Sequence, residues 1–414
     1  MKYLQENGGI SGIILFKNSI KKMKIGSFIY YTLYALQHRG QSSIGIFIKN
    51  NNYFLIKKKG IVSSLIMNKV KNIDGFLAIG NIGDKNILKI NSYQPFILSS
   101  NDNQICISYV GKISNRDFLI KKITQNGFNK NISDHELICK LLLNELLKKN
   151  EIDSIVSVLK DIIGSYCMIL SINNKLYAIR DPYGVRPLCF GKINNDGYII
   201  ASESSAIDII NGIYINDIKP GEIVEFDENN NIKHYTFIQK KKRYYCVFEY
   251  IYLARPDSII NSRLVYTIRE NFGKQLAKEN KINCDIICPI PDSGIISAIG
   301  YSEESKIKYT ESIVKNKYVG RTFILSSKKD RDSTLMLKMN IIKENFLKKK
   351  VMIIDDSIVR GTTIKKIIPM IKKLNPKEIH IGITSPEIIN SCCFGVNIKN
   401  KKELVSQLLS KKEL

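Results

Sequence analysis

Residues 351 to 363 read VMIIDDSIVRGTT, and this stretch is the strongest architectural signal in the chain. Its apolar run predicts a buried strand, and Asp355 and Asp356 stand at the carboxyl end of that strand. The small residues that follow lead into a helical pattern. Because ligands of parallel α/β sheets bind at the carboxyl ends of the strands, we expect a ligand site here.

The residue types of this stretch suggest which ligand it binds. A loop of small residues ahead of a helix presents backbone N–H groups to a phosphate. Two adjacent carboxylates are costly unless a cation or hydroxyl groups meet them, so a sugar diol and Mg²⁺ are natural partners. The alternative is a strand that happens to end in two aspartates before a turn.

The elements around this stretch predict two domains. Alternating patterns predict helices over 263–280, 294–305 and 362–374, and strands over 284–290, 351–356 and 378–386. That order is typical of an α/β domain with a parallel sheet. Residues 10 to 240 are instead dominated by short β-like runs, interrupted by helical patterns over 26–37 and 134–149. We therefore place domains at 1–240 and 241–414.

Composition excludes several classes of protein. The formal net charge is +25 over 414 residues, but the basic residues are spread along the chain, so we expect no nucleic-acid role. No apolar run is long enough to span a membrane and the amino terminus lacks a secretory pattern, so we expect a cytoplasmic protein. The nine cysteines lack zinc-like spacing, and a disulfide framework is not expected.

Six segments resemble those of amidophosphoribosyltransferases, the glutamine phosphoribosylpyrophosphate amidotransferases, in the family's order. Beside the stretch at 351–363 they are LQHRGQSSIGI (36–46), RDPYGVRPLCFG (180–191), EYIYLARPDS (249–258), PIPDSGIISAIGY (289–301) and VKNKYVGRTFI (314–324). The resemblance implies an α+β and α/β fold. An Ntn-hydrolase-like αββα sandwich, the glutaminase-like domain, is followed by a type I phosphoribosyltransferase domain with a parallel sheet.

The resemblance also implies the roles of residues in the second domain. Asp355 and Asp356 would engage the ribose hydroxyls and Mg²⁺, and Ser293 would approach the same metal from the pyrophosphate loop. The loop for the 5-phosphate would comprise Ser357, Ile358, Val359, Arg360, Gly361, Thr362 and Thr363. The loop that closes over substrate would carry Lys315, Tyr318 and Arg321 as catalytic residues, followed by the substrate-binding Lys338. Met336 stands where the family usually carries arginine.

In the family, ammonia displaces pyrophosphate from phosphoribosyl pyrophosphate to give phosphoribosylamine, the first step of purine synthesis. The first domain supplies that ammonia from glutamine, but here its key positions are degenerate. Gly8 replaces the nucleophilic cysteine, Gly83 the arginine that grips glutamine, and Val110 the oxyanion-hole asparagine. Only Gly111 and Asp134 persist. We therefore expect free ammonia, not glutamine, to be the nitrogen source.

The resemblance raises further points about cofactors and partners. Cys246 and Cys392 match two ligands of an iron–sulfur cluster found in one branch, but the chain ends before the other two, so we expect no cluster. The same early end predicts a shortened transferase domain. Purine nucleotides as inhibitors and a homo-oligomer are implied as well. His38 is assigned no role in chemistry.

Two rival functions stay open beside the enzyme. One is a non-catalytic sensor or regulatory subunit that binds phosphoribosyl pyrophosphate or nucleotides, which Met336 and the short tail favour. The other is a nucleic-acid-binding regulator on the same fold, which the missing reading motif disfavours.

Overall fold

The computed structural model describes residues 8–20, 23–83, 93–100, 103–123, 132–240, 242–316, 339–396, 398 and 401–408. The strands of the first domain are, in chain order, β1 (Gly9–Leu15), β2 (Ser43–Lys49), β3 (Tyr53–Lys59), β4 (Leu77–Gly83), β5 (Phe96–Ser100), β6 (Asn103–Ile113), β7 (Gly164–Ile172), β8 (Lys175–Arg180), β9 (Cys189–Ile193), β10 (Gly197–Ala201), β11 (Ile213–Asp217), β12 (Glu222–Phe226) and β13 (Ile232–Thr236).

These strands form two antiparallel sheets. One has the order β11-β9-β10-β1-β4-β2-β3, and the other has the order β13-β12-β8-β7-β6-β5. Buried side chains of both sheets meet between them, among them Ile10, Phe47, Val110 and Ile169. Apolar residues that alternate along each strand explain this arrangement, because one set of side chains faces the partner sheet and the other faces the outer helices.

Helices cover the outer face of each sheet, which confirms the predicted αββα sandwich. They are α1 (Ile25–Ala35), α2 (Ser64–Val70), α3 (Arg116–Ile123), α4 (Asp134–Leu146), α5 (Glu151–Asp161) and α6 (Ser205–Asp208). α1, α2 and α6 share a core with the first sheet, and α3, α4 and α5 share one with the second. The Ser133 hydroxyl accepts a hydrogen bond from the Glu136 N–H at 3.2 Å and caps α4, as the sequence suggests.

The sequence prediction of helices in this domain was incomplete. It contained α1 and α4 but not α2, α3, α5 and α6. For α5 the signal was present, since Ile155, Val158 and Leu159 follow helical spacing and are buried, and Asn150 caps the first turn. α2, α3 and α6 are short, and the sheet that they cover contributes most of their stabilisation.

The second domain contains the predicted parallel sheet. Its elements are β14 (Ile259–Ile260), β15 (Arg263–Leu264), α7 (Val265–Glu279), β16 (Ile286–Pro289), α8 (Ile295–Ser305), β17 (Lys308–Tyr309), β18 (Ile313–Lys315), β19 (Met339–Ile341), β20 (Lys350–Asp355), α9 (Ile364–Lys372), β21 (Glu378–Ile383) and α10 (Val405–Leu408). The parallel strands have the order β17-β16-β20-β21. β20 is therefore an inner strand, and the carboxyl ends of β16 and β20 lie side by side.

A π-helical turn, Glu249–Leu253, precedes these elements, and short 3₁₀ turns occur at Gln37–Arg39, Lys343–Asn345 and Lys401–Glu403. Within the described ranges, no helix is long and apolar enough to cross a membrane.

Candidate active site

The acidic pair lies where the sequence predicts it. Asp355 is the last residue of β20 and Asp356 follows it, and they are only 6% and 4% exposed. The Asp355 carboxylate accepts a hydrogen bond from the Asp356 N–H at 2.9 Å, and the Ser357 hydroxyl donates to Asp356 Oδ1 at 2.6 Å. Two carboxyl groups are thus held at the carboxyl edge of the parallel sheet by the backbone itself.

Ionisation of both carboxyl groups of this pair is unfavourable in the protein alone. Burial, and then the neighbouring Asp356, raises the pKa of Asp355 well above its ordinary value. Burial also raises the pKa of Asp356, although the hydroxyls of Ser357 and Ser293 and the charge of Arg269 oppose it. Asp356 Oδ2 is buried and has no hydrogen-bond partner among the described residues. A cation would relieve this cost.

The donor set fits Mg²⁺ shared with a phosphorylated substrate. Mg²⁺ prefers oxygen ligands and is usually held by one or two carboxylates together with substrate phosphates and water. Among the described residues, no group of three or more His, Cys, Asp or Glu side chains could enclose a metal ion. Asp355 and Asp356 supply two adjacent carboxylates, the protein ligands that Mg²⁺ takes when it is shared with substrate phosphates.

The loop after the pair turns sharply into α9. Gly361 has a φ of +66°, in the left-handed region that glycine adopts without steric cost. Its carbonyl accepts a hydrogen bond from the Lys365 N–H at 2.9 Å, and the Thr363 carbonyl accepts one from the Ile367 N–H at 3.0 Å. The loop thereby joins the first turn of a helix, whose leading N–H groups lack intrahelical acceptors and suit a phosphate.

Ser357, Ile358, Val359, Arg360, Gly361, Thr362 and Thr363 form one continuous loop beside the acidic pair. The Val359 carbonyl accepts a hydrogen bond from the Val405 N–H at 2.9 Å, so the start of α10 holds the loop from outside.

A second loop, residues 291–294, packs against β20. The Ile290 N–H donates to the Ile354 carbonyl at 2.8 Å, and a Cβ on Gly294 would lie 2.5 Å from that same carbonyl oxygen. A side chain at Gly294 would therefore push the turn off the strand. The close approach brings Ser293 next to the acidic pair, where its hydroxyl lowers the pKa of Asp356.

The residues predicted for the closing loop are only partly described. Lys315 ends β18, and its ammonium group forms an exposed ion pair with Asp292 in the turn 291–294. The structure therefore brings Lys315 to the edge of the site. Tyr318, Arg321, Lys338 and Met336 lie outside the described residues.

Comparisons with known proteins agree with this geometry. The family profile described as Glutamine amidotransferase domain matches residues 83–208, and the Phosphoribosyl transferase domain matches residues 260–385. The amidophosphoribosyltransferase of Methanocaldococcus jannaschii is 38% identical over 98% of this chain and 89% of its own length. The chain belongs to the amidophosphoribosyltransferase family.

Other members give the same result. The amidophosphoribosyltransferase of Methanothermobacter thermautotrophicus is 39% identical over 97% of this chain and 86% of its own length. Among solved structures, the B. subtilis glutamine phosphoribosylpyrophosphate amidotransferase in complex with ADP and GMP has a TM-score of 0.88 at 30% identity, covering 98% of this chain and 88% of that one. A structure titled as the allosteric regulatory enzyme of purine biosynthesis also has a TM-score of 0.88 at 30% identity, with 97% and 86% covered.

Gly8, to which the family resemblance assigns the position of the nucleophilic cysteine, has no room for a side chain unless the backbone shifts. Gly8 has a φ of +125°, and a Cβ there would lie 2.2 Å from the Ile82 carbonyl oxygen. Gly83 is less restricted, because the atom nearest to its Cβ would be the hydroxyl oxygen at the end of the Ser43 side chain, at 2.4 Å. The pairing of Gly9 with Ile82 across β1 and β4 places the Ile82 carbonyl beside Gly8.

Asp134 and Gly111, which the family resemblance assigns to a glutamine pocket, both have close contacts within the first domain. Asp134 forms a close ion pair with Arg116 and accepts a hydrogen bond from the Tyr109 hydroxyl at 3.4 Å. Gly111 has a φ of +140° and lies against the Ser165 carbonyl, while Val110 is buried between the two sheets. Sequence reasoning missed Arg116, because nothing local marks it as the partner of a residue on another helix.

The remaining candidates have structural surroundings. His38 Nε2 lies 2.6 Å from Glu203 Oε1, which agrees with a packing role. Cys246 and Cys392 pack against one apolar cluster, and Cys392 Sγ accepts a hydrogen bond from the Phe394 N–H at 3.3 Å. The expected lack of an iron–sulfur cluster stays a prediction.

Proposed function

We propose that this amidophosphoribosyltransferase family member forms 5-phosphoribosylamine from phosphoribosyl pyrophosphate and free ammonia, in the first step of purine synthesis. The observation that carries the proposal is the buried pair Asp355 and Asp356, beside the phosphate loop 357–363 and the turn 291–294. Membership of the family supports the transferase half.

In the proposed reaction the ammonia nitrogen bonds to the anomeric carbon as the bond from that carbon to pyrophosphate breaks, and the new amine loses a proton to solvent. Asp355 and Asp356 would hold Mg²⁺ and the ribose hydroxyls, and the bound ion neutralises charge on the leaving pyrophosphate. The N–H groups of the loop 357–363 would orient the 5-phosphate. Lys315 would release Asp292 and turn to the pyrophosphate, where its positive charge would stabilise the leaving group.

Free ammonia is proposed as the nitrogen source on three grounds. Gly8 has no thiol, and the Ile82 carbonyl fills the space where a Cβ would lie. Val110 offers no side-chain donor to an oxyanion, and losing one such donor typically slows acyl transfer by about 100- to 1000-fold. The Asp134 carboxylate, which would attract the ammonium group of glutamine, is already neutralised by Arg116.

Several further features belong to the same proposal. We place the domain boundary near residue 240. We also propose that the protein is cytoplasmic and that it holds no iron–sulfur cluster. A solved relative is a complex with ADP and GMP, and we infer that purine nucleotides bind and inhibit this chain. A homo-oligomer is proposed from the family.

Binding tests the proposal first. Isothermal titration of phosphoribosyl pyrophosphate is expected to show binding that requires Mg²⁺ in the wild type and is lost in Asp356→Asn. The matched control is Asp285→Asn, because Asp285 lies at the opposite end of the same sheet, where it accepts a hydrogen bond from the Lys350 N–H at 2.8 Å. Wild-type protein that ignores phosphoribosyl pyrophosphate would exclude both the enzyme and the sensor.

Turnover then separates the enzyme from the sensor. Pyrophosphate release is expected with ammonium chloride at alkaline pH and not with glutamine at micromolar ammonia. Binding without release under either condition would favour the non-catalytic sensor. Steady release with glutamine alone would show that the first domain is active.

A further inference from the structure

A buried cluster of charges joins the two domains. Four charged side chains in it are almost fully buried. Three belong to the first domain, namely Arg39, Arg186 and Glu203, and the fourth is Glu249 of the second domain. Arg39 Nη2 donates to Glu249 Oε2 at 2.7 Å, and its Nε donates to Glu203 Oε1. Arg186 Nη1 lies 3.7 Å from Glu249 Oε1. We call these four residues the interdomain ion cluster.

The interdomain ion cluster holds the start of the transferase domain. Glu203 Oε2 accepts hydrogen bonds from the Arg255 N–H at 2.9 Å and from the Ser258 hydroxyl at 2.5 Å. The Ser204 hydroxyl accepts one from the Ile259 N–H at 2.8 Å. Glu249 is itself the first residue of the π-helical turn. Both ends of the segment 249–259 are therefore fixed by the first domain.

That segment in turn fixes Arg269 on α7. Arg269 Nε donates to the Tyr250 carbonyl at 2.7 Å, and its Nη2 donates to the Ala254 carbonyl at 2.8 Å. The side chain is buried, and its charge opposes the raised pKa of Asp356. Neither α7 nor Arg269 belongs to the loops that would contact substrate.

α7 is linked to the turn 291–294 through its contacts with α8. The Arg269 carbonyl accepts a hydrogen bond from the Ser297 hydroxyl of α8 at 3.1 Å. A Cβ on Gly273 would lie 1.8 Å from the Ser297 carbonyl oxygen, so the two helices are in backbone contact. α8 begins at Ile295, directly after the turn.

We propose that the interdomain ion cluster positions the turn 291–294 for the pyrophosphate group, so that the glutaminase-like domain serves the transferase site as a scaffold. Arg39, Glu203, Glu249 and Arg269 are then positioning residues. This inference rests on the proposed function, because it concerns the substrate named there. It gives the first domain a role that needs no glutamine chemistry.

Two probes separate this role from general stabilisation. With Mg²⁺ present, ribose 5-phosphate contacts the turn 291–294 at most through Ser293 and the metal, whereas phosphoribosyl pyrophosphate also places its pyrophosphate group against the whole turn. In Ser297→Ala, the Kd of phosphoribosyl pyrophosphate is expected to rise by about three- to tenfold, since one hydrogen bond is lost. In Glu249→Gln the rise is expected to be larger, about tenfold or more, because removing one partner of a buried ion pair is more disruptive. In both variants the Kd of ribose 5-phosphate is expected to change by no more than about twofold. The loss of a hydrogen bond to the ligand would change it by more than that.

The matched control is Arg116→Met, which breaks an ion pair of the first domain away from this path and should leave both affinities unchanged. Should Glu249→Gln fail to fold, Ser258→Ala and Ser297→Ala each remove a single hydroxyl and remain decisive. Equal losses for both probes, or no loss for either, would overturn the inference. Absence of phosphoribosyl pyrophosphate binding in the wild type would instead overturn the proposed function.

Discussion

Gly8 occupies a backbone position that only glycine tolerates. Its φ of +125° is unfavourable for other residues, and the Ile82 carbonyl oxygen would lie 2.2 Å from an added Cβ. Two separate costs therefore oppose any side chain there. One is conformational, and the other is a clash with the backbone of β4, which cannot move without disturbing its pairing with β1.

Restoring the thiol should therefore not restore a glutaminase. We expect Gly8→Cys to release no glutamate from glutamine and to destabilise the fold in urea denaturation. Gly60→Cys is the matched control, because Gly60 has a φ of +105° but nothing within 4 Å of its Cβ. Gly8→Cys should cost about 1–3 kcal/mol more than Gly60→Cys, the usual range for overpacking. Equal stability of the two variants, or glutamine hydrolysis by Gly8→Cys, would contradict this account.

The positions of single residues in the fold were predictable where the signal is local. Asp355 and Asp356 were found at the end of β20 because an apolar run and the loop behind it are adjacent in sequence. Arg116 and Arg269 were not found, because their partners come from other elements and only the tertiary fold brings them together. The burial of Asp356 Oδ2 was likewise invisible in the sequence.

At the scale of elements, the contact between α7 and α8 depends on glycine. A Cβ on Gly300 would lie 2.0 Å from the Glu270 carbonyl oxygen, and one on Gly273 would lie 1.8 Å from that of Ser297. Both helices and three of the four parallel strands, β16, β20 and β21, were predicted from period and turn signals, whereas the two-residue strand β17 was not. The π-helical turn Glu249–Leu253 was not, because the ion pairs and hydrogen bonds that hold it come from the first domain.

Gly273→Ala tests this contact. Alanine favours helix over glycine by about 1 kcal/mol, so a helix with free space would gain stability. We expect a net loss of about 1–3 kcal/mol instead, measured by urea denaturation, because the added methyl group forces α7 away from α8. Gln275→Ala, at an exposed position of α7 where the side-chain amide donates a hydrogen bond to Glu279 of the same helix, should leave the urea midpoint nearly unchanged. A gain in stability for Gly273→Ala would show that the helices can separate freely.

At the scale of the whole molecule, the interdomain ion cluster ties two different architectures together. Burial raises the pKa of Glu203, but Arg39, then His38 and Ser258, more than offset it and hold that pKa far below its ordinary value of 4.5. A carboxyl group of lowered pKa stabilises the folded state at every pH above the unfolded-state value. That stabilisation is lost progressively as the pH falls below it.

Glu203→Gln should reveal this dependence. At pH 7 we expect the variant to lose about 3 kcal/mol in the free energy of unfolding, because Arg39 keeps its burial and loses a charged partner. The difference from the wild type should narrow in urea titrations below pH 4.5, as Glu203 becomes protonated in the unfolded chain. Glu145→Gln, at an exposed pair with Lys149, should change stability far less. A difference that is the same at both pH values would indicate lost packing instead of lost charge.

The pairing of Arg116 with Asp134 has a consequence for the cell's nitrogen economy. The ammonium group of a free amino acid would meet, at Asp134, a carboxylate that already has a counter-ion, so little binding energy would be available to it there. Under the proposed function, the protein then takes no glutamine from the other enzymes that compete for it. Its output follows whatever neighbouring reactions liberate as ammonia.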